Sequence, residues 1–475
     1  MRQVCLRAFG YDKQKPILKN LAFMSSLASS SSLEVSSYLP SLLDQARAAG
    51  AEACDASLAL GQGASVSVRQ GRVEEAVASE KQRLSLRVMC GKQAAVATTD
   101  RPFDAMHIEK LIADALARAG AVPPDPHFVM ADEDQLARRV DTLPVDTTKP
   151  TLEQLKTMAL QTEDTARAVK GISDSEGAEA GFSHTTTHVI TSGGFYGYEK
   201  GAGYSLGVSV LAGTGDDRQR DGYGASAARF TDLEAADVVG RTAGQRTVRC
   251  LSARPLPQSG HFPVFFEDLL APSLVGHFLA AINGASVAKG TTFLRDALET
   301  QVFAPSVTIE ENPHVPHTFG AALFDGEGLP TVRRNLVEAG VLTTWLLNLR
   351  AAKLLGKTPT GHASLMMGGA PGVASHHVCV RPGKETPAAL MREAGTGFLA
   401  TELLGSGVNG LTGDYSLGAR GFWVENGQVA FPVQRVTLAG RLQDMFAGLT
   451  PANDLKVRSA VNAPTLRIDK MAVTT

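Results

Sequence analysis

Histidines, cysteines and hydroxyls at short spacing are where chemistry would reside. His184 and His188 flank three threonines. On a helix they would share a face at i, i+4 and could hold zinc. The β-branched residues between them argue for a strand, and no glutamate lies between them to act as base, so exposed strand histidines are expected. His377 and Cys379 share a strand face with His376 adjacent, an imidazole and thiolate pair that could begin a metal site, though no further ligands can be named. His314 and His317 beside Pro313 read as a surface turn. Gly203-Tyr-Ser205-Leu-Gly207 has the G-x-S-x-G form, but a nucleophile elbow must lead into a helix, and the alternating Val208-Ser-Val210 is strand. Ser286-Val-Ala-Lys289 has the S-x-x-K form, which needs one helical turn; Gly284 is expected to have ended the helix before it. Gly405-Ser-Gly407-Val-Asn-Gly410 has the dinucleotide form, yet Gly413, Gly418 and Gly421 leave no place for the helix whose N-terminus would hold a pyrophosphate.

That last stretch is still the most informative in the chain. Between Gly405 and Val433, seven glycines surround Asp414, Tyr415, Arg420, Trp423 and Glu425. Such density places backbone close to something, at angles side chains forbid. Glu425-Asn426-Gly427 then suits a tight hairpin turn.

The elements that must position these residues are legible in outline. Leu39, Leu42, Leu43 and Ala46 predict a helix from Tyr38 to Ala49, stopped at Gly50. Leu84, Leu86, Val88 and Cys90 alternate with Arg83, Ser85 and Arg87, a half-buried strand. Ile108, Leu111, Ile112, Ala115 and Leu116 predict a second helix, ended by Gly120. Prolines mark 121–150 as a linker. Capping boxes at Thr151–Gln154 and Thr231–Glu234 open two more helices, the second running towards Cys250, with strands across 182–228 between them. Beyond Pro263, strands and turns alternate with helices near 272–283 and 345–355. The class is α+β with mostly antiparallel sheets and flanking helices. The expected division is an extension over 1–32, poorly ordered or non-native, an N-terminal α+β domain over 33–120, the linker, a central domain over 151–255, and a larger β-rich C-terminal domain over 256–475.

With 475 residues, two or three domains are expected. A net charge of −2 with scattered basic residues gives no footprint for nucleic acid or anionic membrane. Cys5, Cys54, Cys90, Cys250 and Cys379 are odd in number, without a C-x-x-C, as reduced thiols in a cytoplasm would be. Nothing is long and apolar enough to span a bilayer. Arg2, Arg7, Lys13, Lys15 and Lys19 face only Asp12 before a serine run. Without an apolar secretory core, this reads as an upstream start, with initiation near Met24, rather than a targeting peptide.

Several segments taken together resemble the PmbA/TldE side of the TldD/PmbA metalloprotease family, also labelled modulator of DNA gyrase. They are the Ser65-Val-Ser-Val-Arg-x-Gly71 run, Phe324-Asp325-Gly-Glu327-Gly328-Leu-Pro330-Thr331, Leu349 to Gly356 with Thr360-Gly361, Thr412 to Ser416, and Gly421 to Gly427. His362 departs from the pattern, where Asn would follow Thr-Gly. The resemblance implies a peptidase built from a zinc-bearing TldD-type subunit and a metal-free partner, together enclosing a cavity for unfolded peptides. In the catalytic subunits a helix carries H-E-x-x-x-H, two zinc ligands and a base. Aligned on the helix at 272–283, those positions fall on Gly276, His277 and Ala281. One imidazole is too few for a zinc site.

By this resemblance the chain has no catalytic residue, metal or cofactor of its own, and zinc sits in the partner. Thr412, Gly413, Asp414, Tyr415, Ser416 and Arg420 are candidates for binding peptide or the partner, with Gly413–Ser416 offering backbone groups. Asp325 and Glu327 orient partner residues or fix a loop. Two alternatives stay open: a self-associating structural or peptide-binding protein, and an independent metal hydrolase using His376, His377 and Cys379.

Overall fold

The computed structural model describes residues 32–138, 142–365 and 371–475. The expectations placed on residues 1–31 lie outside the described residues. The class is α+β, with antiparallel pairing dominant, as expected.

The first half is organised by one six-stranded antiparallel sheet. Its strands are β1 (Ala53–Arg69), β2 (Arg72–Cys90), β3 (Gln93–Thr99), β4 (Ile172–Thr191), β5 (Tyr196–Ala212) and β6 (Gln219–Ala227), in the order β3-β2-β1-β4-β5-β6. Pairing of β1 with β4, from Asp55↔Thr191 to Val68↔Ala178, runs one sheet through the N-terminal and central segments. Because side chains alternate faces, one face gathers Leu58, Leu84, Leu86 and Val88 at one end, and Val66, Ala180, Leu206 and Val208 at the other. Helices α1 (Ser32–Ala48) and α2 (Ala105–Ala121) cover the first group; α3 (Leu152–Arg167) and α4 (Ala236–Val248) cover the second. Each fully buried leucine contributes about 1.5–3 kcal/mol. The β1–β2 hairpin turns at Gln70 and Gly71, both at positive φ. The buried Glu163 of α3 fastens that turn, accepting both backbone N–H groups at 2.8 Å.

Several local expectations are corrected. The polar face of β2 is not exposed at Ser85 and Arg87, which are 0% and 3% exposed. Arg87 is paired across the strands with Asp55, and the C-terminal half covers both. His188 is buried rather than exposed and bonds the Tyr196 hydroxyl at 3.0 Å, while the half-buried His184 bonds that of Tyr204 at 3.1 Å. Gly120 lies inside α2, which Asp104 caps at its start. Thr231 caps nothing: α4 begins at Ala236, and the Glu234 carboxylate accepts instead from the Tyr223 hydroxyl at 2.8 Å.

The second half is built from β7 (Gly260–Phe266), α5 (Pro272–Ala281), α6 (Gly284–Lys289), β8 (Ile309–Glu311), β9 (Arg334–Glu338), β10 (Val341–Leu342), α7 (Leu349–Leu355), β11 (Val378–Val380), α8 (Pro387–Ala394), β12 (Gly397–Leu404), β13 (Asp414–Glu425), β14 (Gln428–Arg441), α9 (Leu442–Ala447), β15 (Leu449–Pro451), β16 (Val461–Asn462) and β17 (Leu466–Thr474). A sheet ordered β14-β13-β12-β7-β17-β15 closes on itself through an added β14–β17 pairing, forming a barrel. A smaller sheet runs β10-β9-β8-β11-β16. Gly284 starts a helix rather than ending one: Asn283 caps α6 and Gly290 closes it in the left-handed region. Ser286 and Lys289 therefore do share a helical turn. No helix among the described residues is long and apolar enough to cross a membrane.

Candidate functional site

Helix α5 and the glycine-rich turn before β13 meet. Leu274, Val275, Phe278 and Leu279 bury one face of α5 in the main core, leaving Gly276 exposed and His277 half-buried. The His277 ring lies edge-on to Tyr415, with centroids 6.0 Å apart. Burial lowers the His277 pKa and raises that of the Tyr415 phenol. Tyr415 is 1% exposed, and its hydroxyl has no partner among the described residues. The three positions aligned with a zinc motif are thus an exposed glycine, one histidine against a phenol, and a buried alanine, Ala281. This set does not fit a zinc ion. Among the described residues no group of three or more His, Cys, Asp or Glu side chains is placed to hold a metal.

The turn itself differs from an open backbone cradle. The Gly413 N–H donates to Asn409 O and its carbonyl accepts from Leu442 N–H, both at 2.8 Å. The Ser416 N–H donates to Gly407 O at 2.7 Å. Gly413 sits at φ +81°, where an added Cβ would strike the Gln443 side chain, which is why glycine is needed there. Side chains are what the turn offers outward: Thr412, Asp414 and Ser416 are exposed, with the Thr412 hydroxyl donating to Asp414 Oδ2 at 2.6 Å. Arg420 points elsewhere, binding Glu402 and, through Gln219 Oε1 at 2.9 Å, the edge of the six-stranded sheet.

Asp325 and Glu327 stand apart from this turn. Asp325 is 2% exposed and accepts backbone N–H groups from Glu327, Leu329 and Ala363 at 2.9, 3.0 and 2.9 Å. Glu327, 3% exposed, accepts from Leu349 N–H at 2.9 Å and faces Arg87 Nη1 at 3.5 Å. Both act on their own chain, fixing a loop and the start of α7. Burial pushes the two carboxyls up, Asp325 to about 6 and Glu327 to about 7.

The histidine and cysteine group does not converge as one site. His377 Nε2 faces Cys379 Sγ at 3.5 Å, with His377 Nδ1 on Phe319 O at 3.2 Å. His376 is directed to Gly361 O at 2.8 Å. Its neighbour there is His362, fully buried and bonded to Glu311 at 2.7 Å through Nε2 and to the Thr360 hydroxyl at 2.7 Å through Nδ1. The departure at His362 therefore leaves its turn fully bonded. Neither the Glu311–His362 pair nor the Asp55–Arg87–Glu327 group was found from sequence; Glu311 and His362 lie 51 residues apart, and Arg87 and Glu327 lie 240 apart. Arg87 fitted the alternation of its strand, so nothing in the local pattern marked it.

Three family models match the chain in order: the PmbA/TldA metallopeptidase domain 1 over residues 54–119, the central domain over 146–251 and the C-terminal domain over 259–475. The chain is 34% identical over 420 residues to Metalloprotease PmbA of Escherichia coli O157:H7, covering 86% of this chain and 90% of that protein. It is 34% identical over 416 residues to a Metalloprotease PmbA homolog of Haemophilus influenzae, with the same 86% and 90% coverage. Among solved structures, TldE from Thermococcus kodakarensis superposes with a TM-score of 0.83 at 18% identity, covering 92% of this chain and all of that one. A candidate modulator of DNA gyrase from Bacteroides thetaiotaomicron gives 0.85 at 23%, covering 93% and 99%. These two share the fold. The matches in sequence decide the family: this chain belongs to the PmbA/TldD metallopeptidase family.

Proposed function

We propose that the chain is the zinc-free subunit of a two-subunit metallopeptidase, paired with a TldD-type subunit that carries zinc and the catalytic base. Its substrates are unfolded peptides. The observation that carries this reading is the content of α5, where a family helix that would need two ligands and a carboxylate base has Gly276, Ala281 and the single imidazole of His277. Zinc, when bound in the partner, would polarise the scissile carbonyl and lower the pKa of its water. This chain contributes shape and orientation. The exposed Thr412, Asp414 and Ser416 side chains present donors and acceptors to peptide or partner, and Tyr415 with His277 braces the turn from beneath. The fastening of Gly413 on both sides keeps that surface rigid, which suits binding without an ordering cost.

The test is cleavage of a denatured protein substrate by the purified chain, by a zinc-bearing TldD-type relative, and by the two co-expressed. The proposal expects complex formation and cleavage by the pair, with none by this chain alone. A stable homodimer that ignores the relative would favour a self-associating protein instead.

A further inference from the structure

The six-stranded sheet and the C-terminal half meet at a seam rich in buried acid. Asp55 of β1 and Arg87 of β2 are directly opposed in register and ion-paired. Glu327 reaches the same guanidinium from the C-terminal half. Asp325, two residues earlier, ties its loop by accepting three backbone N–H groups. From β5 the half-buried Glu199 accepts from Leu323 N–H at 3.1 Å in that same loop. Phe128 and Met130 close the linker side, the Phe128 ring 5.1 Å from the guanidinium carbon and Met130 Sδ 3.7 Å from Nη2. On the far side His362 lies towards Asp325, already bonded to Glu311, while Arg350 on α7 is held by Asp125 at 2.6 Å. Four carboxyl groups therefore lie along this seam, Asp55 and Glu327 on the Arg87 guanidinium and Asp325 and Glu199 on backbone N–H groups. Fully ionised, the five groups carry a net charge of −3, a costly arrangement where water is scarce.

We propose that this seam is a proton-operated latch. With its carboxyl cluster protonated it clamps the 323–329 loop, and with it the C-terminal half, onto the six-stranded sheet. As the cluster ionises, the loop is released.

The direction follows from the groups themselves. Burial pushes all three up, Glu199 and Glu327 to about 7 and Asp325 to about 6, and the charge of Asp325 adds to the rise at the two glutamates. A carboxyl raised in the folded chain adds stability that is complete below its ordinary range and is lost as pH rises through the raised value. The loss therefore begins above the ordinary carboxylate range and is complete once pH has passed about 7. The loop is where it would be read, because the Leu323 amide, which donates to Glu199, and the Ala137 amide, which donates to Gly328 O, both bond across the seam.

Hydrogen exchange of the full chain, followed by mass spectrometry from about pH 5.5 to about pH 8.5 and corrected for intrinsic exchange, tests the latch. Protection of residues 323–329 should fall at least about tenfold across that range while the β14 and β17 barrel amides hold steady. Glu199→Gln, outside the ion pair, and Glu327→Gln each remove one ionisation and should reduce that fall. The Glu199 variant keeps the test available should the Glu327 variant fold poorly. A loop equally protected throughout, a fall shared by the barrel, or an undiminished fall in the variants that fold would overturn the proposal.

Discussion

The rings of His277 and Tyr415 meet edge-on, 6.0 Å between centroids and 82° between planes. One comes from the helix aligned with a zinc motif, the other from the glycine-rich turn, so two sequence features 138 residues apart are one place in the fold. The contact supports the turn and leaves the imidazole without convergent ligands.

Tyr415 carries a buried hydroxyl with no partner among the described residues. Such a group costs about 1–3 kcal/mol relative to a satisfied one. Tyr415→Phe is expected to leave stability unchanged or raise it by up to about 1 kcal/mol in urea unfolding. A loss above about 1 kcal/mol would show that the hydroxyl is bonded in solution.

Among the described residues Arg87 is the cation paired with both Asp55 and Glu327, all three nearly inaccessible. Arg87→Met removes the charge and leaves two acids facing each other, so a loss of about 3–5 kcal/mol is expected. Denaturant unfolding measures it, and a loss under about 1 kcal/mol would contradict the pairing.

His362 and Glu311 give the opposite pH signature from the latch. Burial pulls the Glu311 carboxyl upward, but the His362 bond and the nearby imidazoles hold it net below its ordinary value. A lowered carboxyl adds stability above its ordinary range and loses it as pH falls through the folded value. His362→Asn, too short to reach Glu311, should cost about 1–3 kcal/mol near neutrality and move acid unfolding to higher pH. An unchanged acid midpoint would count against the pair.

Glu163 holds the β1–β2 turn through two backbone N–H groups. Glu163→Ala is expected to cost about 1–3 kcal/mol and speed exchange at Gln70 and Gly71. Unaltered exchange at those amides would refute the anchoring.

Local patterns were legible where their partners were local. The Thr151–Gln154 capping box forms with both halves in place because both partners sit within one turn. The alternation of Leu84, Leu86 and Val88 marked the helix-covered face correctly. The same pattern failed on the other face, since Arg87 is buried by Glu327, 240 residues later. Thr231–Glu234 had the spacing of a cap, but Tyr223 from β6 took the glutamate. At the candidate site, glycine density located the turn, while the use of Gly413's own backbone by Asn409 and Leu442 depended on α9 packing beside it.

Within a reconstituted pair, the exposed Asp414 side chain is assigned a role in binding and His277 a supporting one. Asp414→Ala should lower peptide cleavage by the pair more than His277→Ala does. Equal or reversed losses would contradict these assignments.

Zinc content bears most directly on the central claim. The chain purified alone, then mixed with a TldD-type relative, is analysed for bound metal and for hydrolysis of a denatured substrate. The account predicts no stoichiometric zinc and no cleavage from the lone chain, with both appearing in the pair. Tightly bound zinc at one equivalent in the lone chain, with unaided cleavage, would contradict it.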